Sequence, residues 1–260
     1  FKRAQITKLV QFTCANSKAG CQVRLKRART TKEMILESKK TDSHYYEELF
    51  EKTAGQSAEM FGAHYNYSWK TDPRRMLFAF SRYKFVGKMF EGFDRVLEVG
   101  CGDASATRLV QQTVNEVVVT DFDQVFISDI ESRQQPEWRL DARVHDMIAG
   151  SLQENFDGIF SLDVLEHIEK TNEDTFLKNI CISLDEHGTF IVGMPSLESQ
   201  TYASEASKFG HVNCKSGPEL RDLLKKYFHS VFMFSMNDEV VHTGFFPMAH
   251  YLIAVCCDKK

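Results

Sequence analysis

The feature that most constrains this chain is the stretch 96–104, which reads VLEVGCGDA. A short apolar strand runs into a Gly-x-Gly turn and carries a carboxylate, Glu98, just before the turn. A helical segment follows at 105–112, and a second apolar run, 117–120, ends at Asp121. A strand, a glycine turn, a helix, a strand and an acidic residue, in that order, predict a nucleoside-binding half of a doubly wound α/β sheet.

Each part of this pattern suits a bound nucleoside. Glycines let the backbone approach a ligand closely, and the start of the helix offers unpaired N–H groups and a partial positive charge. The carboxylate of Asp121 can accept hydrogen bonds from both ribose hydroxyls. The dinucleotide fingerprint requires a third glycine where this chain has Ser105, so the pattern argues against a dinucleotide cofactor.

The stretch resembles the first motif of the class I S-adenosylmethionine-dependent methyltransferases, (V/L)-L-(E/D)-x-G-x-G-x-G, with Ala104 in place of the last glycine. Segment 155–168, NFDGIFSLDVLEHI, is similar to the fourth strand in the branch with ubiquinone-pathway and many sugar, lipid and antibiotic methyltransferases. The resemblance extends from Tyr45 to Cys257 and implies S-adenosylmethionine as cofactor and S-adenosylhomocysteine as product. The cofactor contacts it implies are Arg82, Glu98, Gly100, Cys101, Gly102, Asp121, Phe122, Asp146, Met147, Ser161 and Leu162.

The resemblance also implies the fold. We expect a doubly wound seven-stranded sheet in the order 3-2-1-4-5-7-6, with the last strand antiparallel and N-terminal helices covering the site. The ligand crevice should lie at the carboxyl ends of the strands, where the order reverses. In the family, Asp146 at the end of the third strand lies beside the adenine amino group. The strands after the second are predicted at 143–146, 155–168 (the fourth strand with its exit), 188–193, 230–235 and 250–257.

Three regions are predicted along the 260 residues. A basic arm occupies 1–42, a helical cap occupies 43–92 with helices at 43–50 and 68–90, and the methyltransferase domain occupies 93–260. A capping box at Ser216-Gly217-Pro218-Glu219 predicts a further helix within the domain. Three side chains of the cap could touch the methionine end of the cofactor or could simply pack in the core: Trp69, Arg82 and Tyr83.

Charge is unevenly distributed along the chain. Residues 1–40 hold 11 Lys and Arg against Glu33 and Glu37, a net charge of +9, whereas the rest of the chain carries −13. A basic segment on an acidic body could bind nucleic acid or an anionic membrane, and the run 24–29, RLKRAR, is its most basic part. We favour a solvated arm or a packing helix, because an electrostatic binder is more often basic across its folded body.

The cysteines and the hydropathy pattern indicate the compartment. The chain has seven cysteines, an odd number, and none forms a C-x-x-C pair. This predicts reduced thiols rather than a disulfide framework or a zinc site. No apolar run approaches the ~18 residues that cross a bilayer, and the polar start FKRAQ does not resemble a secretory signal. We therefore expect a cytoplasmic protein without a membrane span.

Methyl transfer to an alcohol needs a base, and imidazole suits proton removal near neutral pH. His211, in the loop before the capped helix, and His167, after the fourth strand, are the predicted catalytic residues. His242, in the connection between the last two strands, is a third candidate; for each, a structural or surface role is the alternative. We expect no metal, and the competing interpretation is a divalent cation held by Asp163 and Glu166.

Missing motifs narrow the substrate. The fourth strand ends in SLDV at 161–164, not in the (N/D)-P-P-(Y/F) of amino-methylases, and no Pro-Cys pair supplies a cytosine-C5 nucleophile. We therefore favour O-methylation of a small hydroxylated metabolite such as a sugar or glycan precursor. The segment 237–246 resembles bacterial glycan-pathway methyltransferases. The alternatives are an RNA or protein methyltransferase recruited by the basic arm, and a non-catalytic cofactor-binding subunit.

Overall fold

A computed structural model of the protein describes residues 61–260, so the predicted basic arm at 1–42 and the predicted helix at 43–50 lie outside the described residues. Within that range the chain forms an eight-stranded sheet in the order β3-β2-β1-β4-β5-β8-β6-β7. The strands are β1 (Arg95–Val99), β2 (Glu116–Asp121), β3 (Asp141–Val144), β4 (Phe156–Leu162), β5 (Leu184–Pro195), β6 (Phe228–Asn237), β7 (Val240–His242) and β8 (Tyr251–Lys259).

The sheet has the predicted doubly wound arrangement. Strands β1 to β5 are parallel to their neighbours, and β8 lies antiparallel between β5 and β6. The predicted order is confirmed, with β8 in the place of the seventh strand. Seven strands were expected and the sheet has eight, because β7 forms an additional edge strand paired with β6. With only three residues, β7 is too short to show the alternation that predicts a strand.

The described helices are α1 (Ala63–Thr71), α2 (Arg74–Met89), α3 (Arg108–Gln111), α4 (Gln124–Ser132), α5 (Glu173–Ser183), α6 (Glu205–Gly210) and α7 (Gly217–Leu224). The single helix expected at 68–90 is therefore two helices. Pro73 disfavours helical backbone at the preceding residue, and Asp72 is extended, with φ −154°. The capping box at Ser216 is confirmed at the start of α7. No helix within 61–260 has both the length and the apolar character to cross a membrane.

The helix expected at 105–112 is also shorter than predicted, because only α3 is helical. Ala104 has a left-handed φ of 51°, and the backbone N–H of Ser105 donates to the Asp103 carboxylate at 3.1 Å. These local interactions hold the chain in turns, so that regular helix begins only at Arg108. The expected anion site at a long helix N-terminus is thus replaced by a turn of several residues.

Hydrophobic clusters cover both faces of the sheet. Successive residues of β1 alternate between them: Leu97 and Val99 belong to one cluster and Val96 to the other. In β4, Ile159 and Phe160 divide in the same way. Parallel strands that are buried on both faces are typical of doubly wound folds. The order reverses between β1 and β4, so the segments that follow these two strands border the expected crevice.

Candidate functional site

The turn after β1 has the backbone that its glycines allow. Gly100 and Gly102 have left-handed φ values of 77° and 52°. A Cβ on Gly100 would lie 2.3 Å from Cγ2 of Val164, so a side chain does not fit there. A Cβ on Gly102 would meet nothing within 4 Å. Gly102 therefore leaves open space beside half-buried turn backbone, as close approach of a ligand requires.

The acidic residue at the end of β2 is tied to this turn. Asp121 is 5% exposed; its Oδ2 accepts the Gly102 N–H at 3.0 Å and its Oδ1 accepts the Asp123 N–H at 2.9 Å. Each carboxylate oxygen has a second acceptor position, which a ribose hydroxyl can use. The neighbouring Phe122 is 76% exposed and offers an apolar ring at the same strand end. This arrangement fits the ribose and base of an adenosine cofactor.

Glu98 occupies a different environment from the one expected of a cofactor contact. It is 1% exposed, and its two oxygens accept hydrogen bonds from the hydroxyls of Tyr83, at 2.6 Å, and Thr107, at 2.5 Å. Burial raises the pKa of Glu98 to about 7, against the opposing effect of the two hydroxyls. In this structure the carboxylate links α2 to the glycine turn, and direct contact with the cofactor stays a prediction. Tyr83 therefore helps to hold Glu98 in place.

The other predicted cofactor residues divide into exposed and packed side chains. The third strand ends at Val144, before the predicted end, and exposed Asp146 lies in the turn beyond it with Oδ1 accepting the Ile148 N–H at 2.8 Å. Met147 is 3% exposed in the core. Ser161 is fully buried and donates to the Val99 carbonyl at 3.1 Å. Any cofactor contact of these two packed residues would therefore go through the backbone. Cys101 and Leu162 are buried in the other core cluster.

Arg82 of α2 reaches the end of β4. Its Nη1 lies 2.9 and 2.7 Å from the two oxygens of Asp163, and its guanidinium carbon lies 3.7 Å from the centre of the Tyr251 ring. Burial opposes the charge of Arg82, but Asp163 and Tyr251 outweigh it and raise its pKa. Asp163 is paired with Arg82 and precedes the 3-10 turn Leu165–His167, so it does not lie on one helix with Glu166, its partner in the metal interpretation. The third cap residue, Trp69, is 61% exposed on α1.

The two predicted catalytic histidines meet. The ring centres of His167 and His211 are 5.1 Å apart, with the planes at 71°. Nδ1 of His167 lies 2.8 Å from the Gly210 carbonyl oxygen, and Nδ1 of His211 lies 2.8 Å from Oε1 of Gln200. Both partners are acceptors, so each neutral ring carries its proton on Nδ1 and has its lone pair on Nε2. His242 lies instead on the edge strand β7, where it is bonded to Asn237 at 2.9 Å.

A buried carboxylate lies beside this pair. Glu166 is fully buried, and neither of its side-chain oxygens has a hydrogen-bond partner. Burial, and after it the charge of Asp163, raise the pKa of Glu166 well above its ordinary value. One ligand atom each from Glu166, His167 and His211 lie within 4.8 Å of one another, a set that could hold a metal ion or share a proton. Two imidazoles and a carboxylate suit a transition metal rather than Mg²⁺ or Ca²⁺.

A buried polar triad anchors the loop that follows His211. Nζ of Lys215 lies 2.6 Å from Glu173 at the start of α5 and 3.0 Å from Oδ1 of Asn213. The Asn213 side chain also donates to Glu173 at 2.8 Å, and its backbone N–H donates to the Glu166 carbonyl at 3.0 Å. The loop is thereby held against the segment that carries Glu166 and His167. Sequence reasoning missed this triad, because no local spacing connects Glu173 with the loop.

Comparison with known proteins agrees with this geometry. Residues 96–188 match a family model described as a methyltransferase domain. No curated protein matches the chain at a significant level. The N-methyltransferase NodS from Bradyrhizobium japonicum WM9, in complex with S-adenosyl-L-homocysteine, is 19% identical with a TM-score of 0.53 over 73% of this chain and 91% of NodS.

Two further solved structures show the same fold. The DhpI–SAM–HEP complex is 15% identical, with a TM-score of 0.55 over 75% of this chain and 91% of DhpI. The methyltransferase domain of bacterial CtHen1-C is 15% identical, with a TM-score of 0.57 over 69% of this chain and 98% of that domain. At these identities the structures establish the fold alone, while the family match covers the glycine turn, Asp121 and the end of β4. Residues 96–188 therefore match a methyltransferase domain, and the described residues have a Rossmann-like methyltransferase fold.

Proposed function

We propose that the protein transfers the methyl group of S-adenosylmethionine to a hydroxyl of a small metabolite, such as a sugar or a glycan precursor. The observation that carries the proposal is the histidine pair after β4 and α6, in which both rings have Nδ1 engaged and Nε2 available to accept a proton. An alcohol needs such a base, because its oxygen becomes a good nucleophile only as its proton leaves.

The site residues divide the work between cofactor and acceptor. When bound, S-adenosylmethionine supplies a methyl group on a positively charged sulfur and its own leaving group. Asp121 would hold the ribose, exposed Phe122 would cover the adenine, and Asp146 would accept from the adenine amino group. The open backbone at Gly102 would admit the rest of the cofactor. The residues that remain for the acceptor are His167, His211 and Glu166.

The reaction then needs one proton acceptor on the protein. Nε2 of His211 or His167 would take the hydroxyl proton as the acceptor oxygen bonds to the methyl group, and the cofactor would supply that methyl group together with its sulfide leaving group. Burial, and then the proximity of His167, lower the pKa of His211 below its ordinary value. His211 is therefore neutral, and able to accept a proton, at neutral pH.

The test is turnover of a panel of hydroxylated acceptors, with mass spectrometry to locate the new methyl group. His211→Ala and His167→Ala are compared with the wild type, and His229→Ala, an exposed histidine of β6, is the matched control. Loss of the true base should reduce turnover by roughly 10²–10⁴ while cofactor affinity is kept. Turnover of the wild type should rise with pH, with its midpoint below about 6.5 if His211 is the base.

Other outcomes would overturn particular parts of the proposal. Full activity in both variants would show that neither histidine acts as a general base, and that the site accelerates methyl transfer by positioning the substrates alone. A methyl group on nitrogen would replace O-transfer by N-transfer, the activity that NodS is named for. Tight, salt-sensitive RNA binding that is lost on deletion of residues 1–42 would favour an RNA substrate. Cofactor binding without transfer to any acceptor would favour a non-catalytic subunit.

We further propose a cytoplasmic location. The five cysteines within the described residues are all free thiols, which agrees with a reducing compartment. Labelling of the native protein in cell extracts with a thiol reagent would test this. Disulfide-linked cysteines in that experiment would contradict the proposal.

A further inference from the structure

The environment of Gln200 defines which way its amide group faces. Its Nε2 lies 3.2 Å from the Ser196 carbonyl oxygen and 3.3 Å from Oγ of Ser199. A carbonyl oxygen can only accept a hydrogen bond, so the NH₂ end of the amide must face Ser196. The amide oxygen Oε1 consequently faces Nδ1 of His211, 2.8 Å away. Because Oε1 can only accept, Nδ1 of His211 must donate.

The residues that hold Gln200 are themselves firmly placed. Ser196 follows β5, is fully buried, and its Oγ donates to the Ala249 carbonyl at 2.5 Å. The same Oγ accepts the Ser199 N–H at 3.1 Å, and the Ser199 hydroxyl donates to the Ser196 carbonyl at 2.8 Å. The amide is thus connected through a chain of hydrogen bonds to Ser196, directly after β5, and to Ala249, just before β8. A side chain held in this way can orient a ring that packs against it.

His167 has a backbone partner instead of a side-chain partner. Its Nδ1 is bonded to the backbone carbonyl of Gly210, and its ring is exposed. The charged or titratable groups that face His211 come from the other elements at the site: Glu166 and His167 from the turn after β4, and Asp163 before that turn. Gln200 adds a neutral acceptor to this set, which orients the ring without adding a negative charge.

We propose that Gln200 is a positioning residue for His211, holding the imidazole in the tautomer with the proton on Nδ1 so that Nε2 can take the acceptor proton. This rests on the proposed function, with His211 taken as the base. The other tautomer would place a proton on Nε2, and the ring could then no longer act as a base at that atom. In other enzymes, loss of the correct histidine tautomer alone lowers turnover strongly.

The experiment measures the tautomer directly by ¹⁵N NMR of histidine-labelled full-length protein, in parallel with turnover. The His211 signals are assigned by their loss in His211→Ala. In the wild type, at a pH above the His211 pKa, Nδ1 should have the chemical shift of a protonated ring nitrogen and Nε2 that of an unprotonated one. Gln200→Leu, which keeps the size but removes the acceptor, should shift His211 toward the Nε2-protonated tautomer and lower kcat by roughly tenfold or more.

A conservative variant and a control complete the test. Gln200→Glu keeps an acceptor and adds a charge, so it should restore the Nδ1-protonated tautomer and raise the pKa of His211, which moves the rise in activity to higher pH. Gln153→Leu, an exposed glutamine bonded only to Ser151 among the contacts of the described residues, should change neither readout.

The results separate this proposal from the proposed function. An unprotonated Nδ1 in the wild type, or an unchanged tautomer in Gln200→Leu, would overturn the role of Gln200 whatever the activity. Full kcat in Gln200→Leu beside an inactive His211→Ala would also overturn it, with the base intact. Full activity of His211→Ala would overturn the general base itself, and the role of Gln200 with it.

Discussion

Replacing Asp121 with alanine should weaken binding of S-adenosylhomocysteine at least tenfold. The carboxylate is 5% exposed at the end of β2, and each of its oxygens already accepts one backbone N–H, from Gly102 and from Asp123. The second acceptor position on each oxygen is the one available to a ribose hydroxyl. Alanine removes both positions and also leaves the Gly102 N–H without its acceptor, so the turn loses an anchor as well.

The size of the effect follows from the hydrogen bonds lost. A hydrogen bond to a charged group contributes about 1.5–3 kcal/mol, and about 1.4 kcal/mol corresponds to a tenfold change in affinity. Loss of one ribose contact thus gives about a tenfold weakening, and loss of two strong contacts gives more than roughly a thousandfold. From a wild-type Kd on the order of 1 μM, the variant should bind with a Kd of roughly 10 μM if one contact is lost, and above roughly 1 mM if two strong contacts are lost.

Isothermal titration calorimetry of the wild type and Asp121→Ala measures this directly. The matched control is Asp157→Ala, because Asp157 also accepts a backbone N–H, that of Arg95 at 2.8 Å, but does so where β1 begins, at the opposite edge of the sheet. The control should keep wild-type affinity. Unchanged affinity in Asp121→Ala, an equal loss in the control, or tight binding of NAD by the wild type would refute the assignment of the ribose site.

Three further predictions concern the supports of the site. Lys215→Met should lower the free energy of unfolding, measured by denaturant titration, by about 3 kcal/mol, because it leaves Glu173 buried without its cation. The double variant Lys215→Met with Glu173→Leu should recover part of this loss. Burial raises the pKa of Glu98 to about 7 in the folded state. The contribution of Glu98 to folding stability is therefore complete below its unfolded pKa of about 4.3, and this contribution is lost as the pH rises toward 7. Glu98→Gln should flatten this decline in urea titrations between pH 5 and 7.5, and an identical pH slope in both proteins would contradict it. EDTA should leave turnover unchanged, whereas a loss of activity restored by one divalent ion would show that Glu166, His167 and His211 hold a metal.

The parts of the fold that the sequence predicts are those with a local pattern. The glycine turn after β1 and the acidic end of β2 could be read from residue spacing, and the helix cap at Ser216 from a capping box. These features depend on residues a few positions apart, so short-range rules describe them. Where a local rule was overlooked, as at Pro73, the prediction joined two helices into one. The overall strand order came from family resemblance, since spacing alone does not determine it.

Tertiary structure alone decided what each polar side chain contacts. The resemblance implies that Glu98 contacts the cofactor, which stays a prediction, and the structure shows that its two oxygens accept from the hydroxyls of Tyr83 and Thr107. His167 and Gly210 are 43 positions apart, and Asn213 and Glu173 are 40 apart. Such contacts form only because the order of the strands brings distant loops together at the carboxyl ends of the sheet. The periodicity of the sequence therefore does not predict them. The sequence determined the nucleoside-binding fold and the residue types at the carboxyl ends of its strands, and the packing of the loops there determined which acceptor each histidine meets.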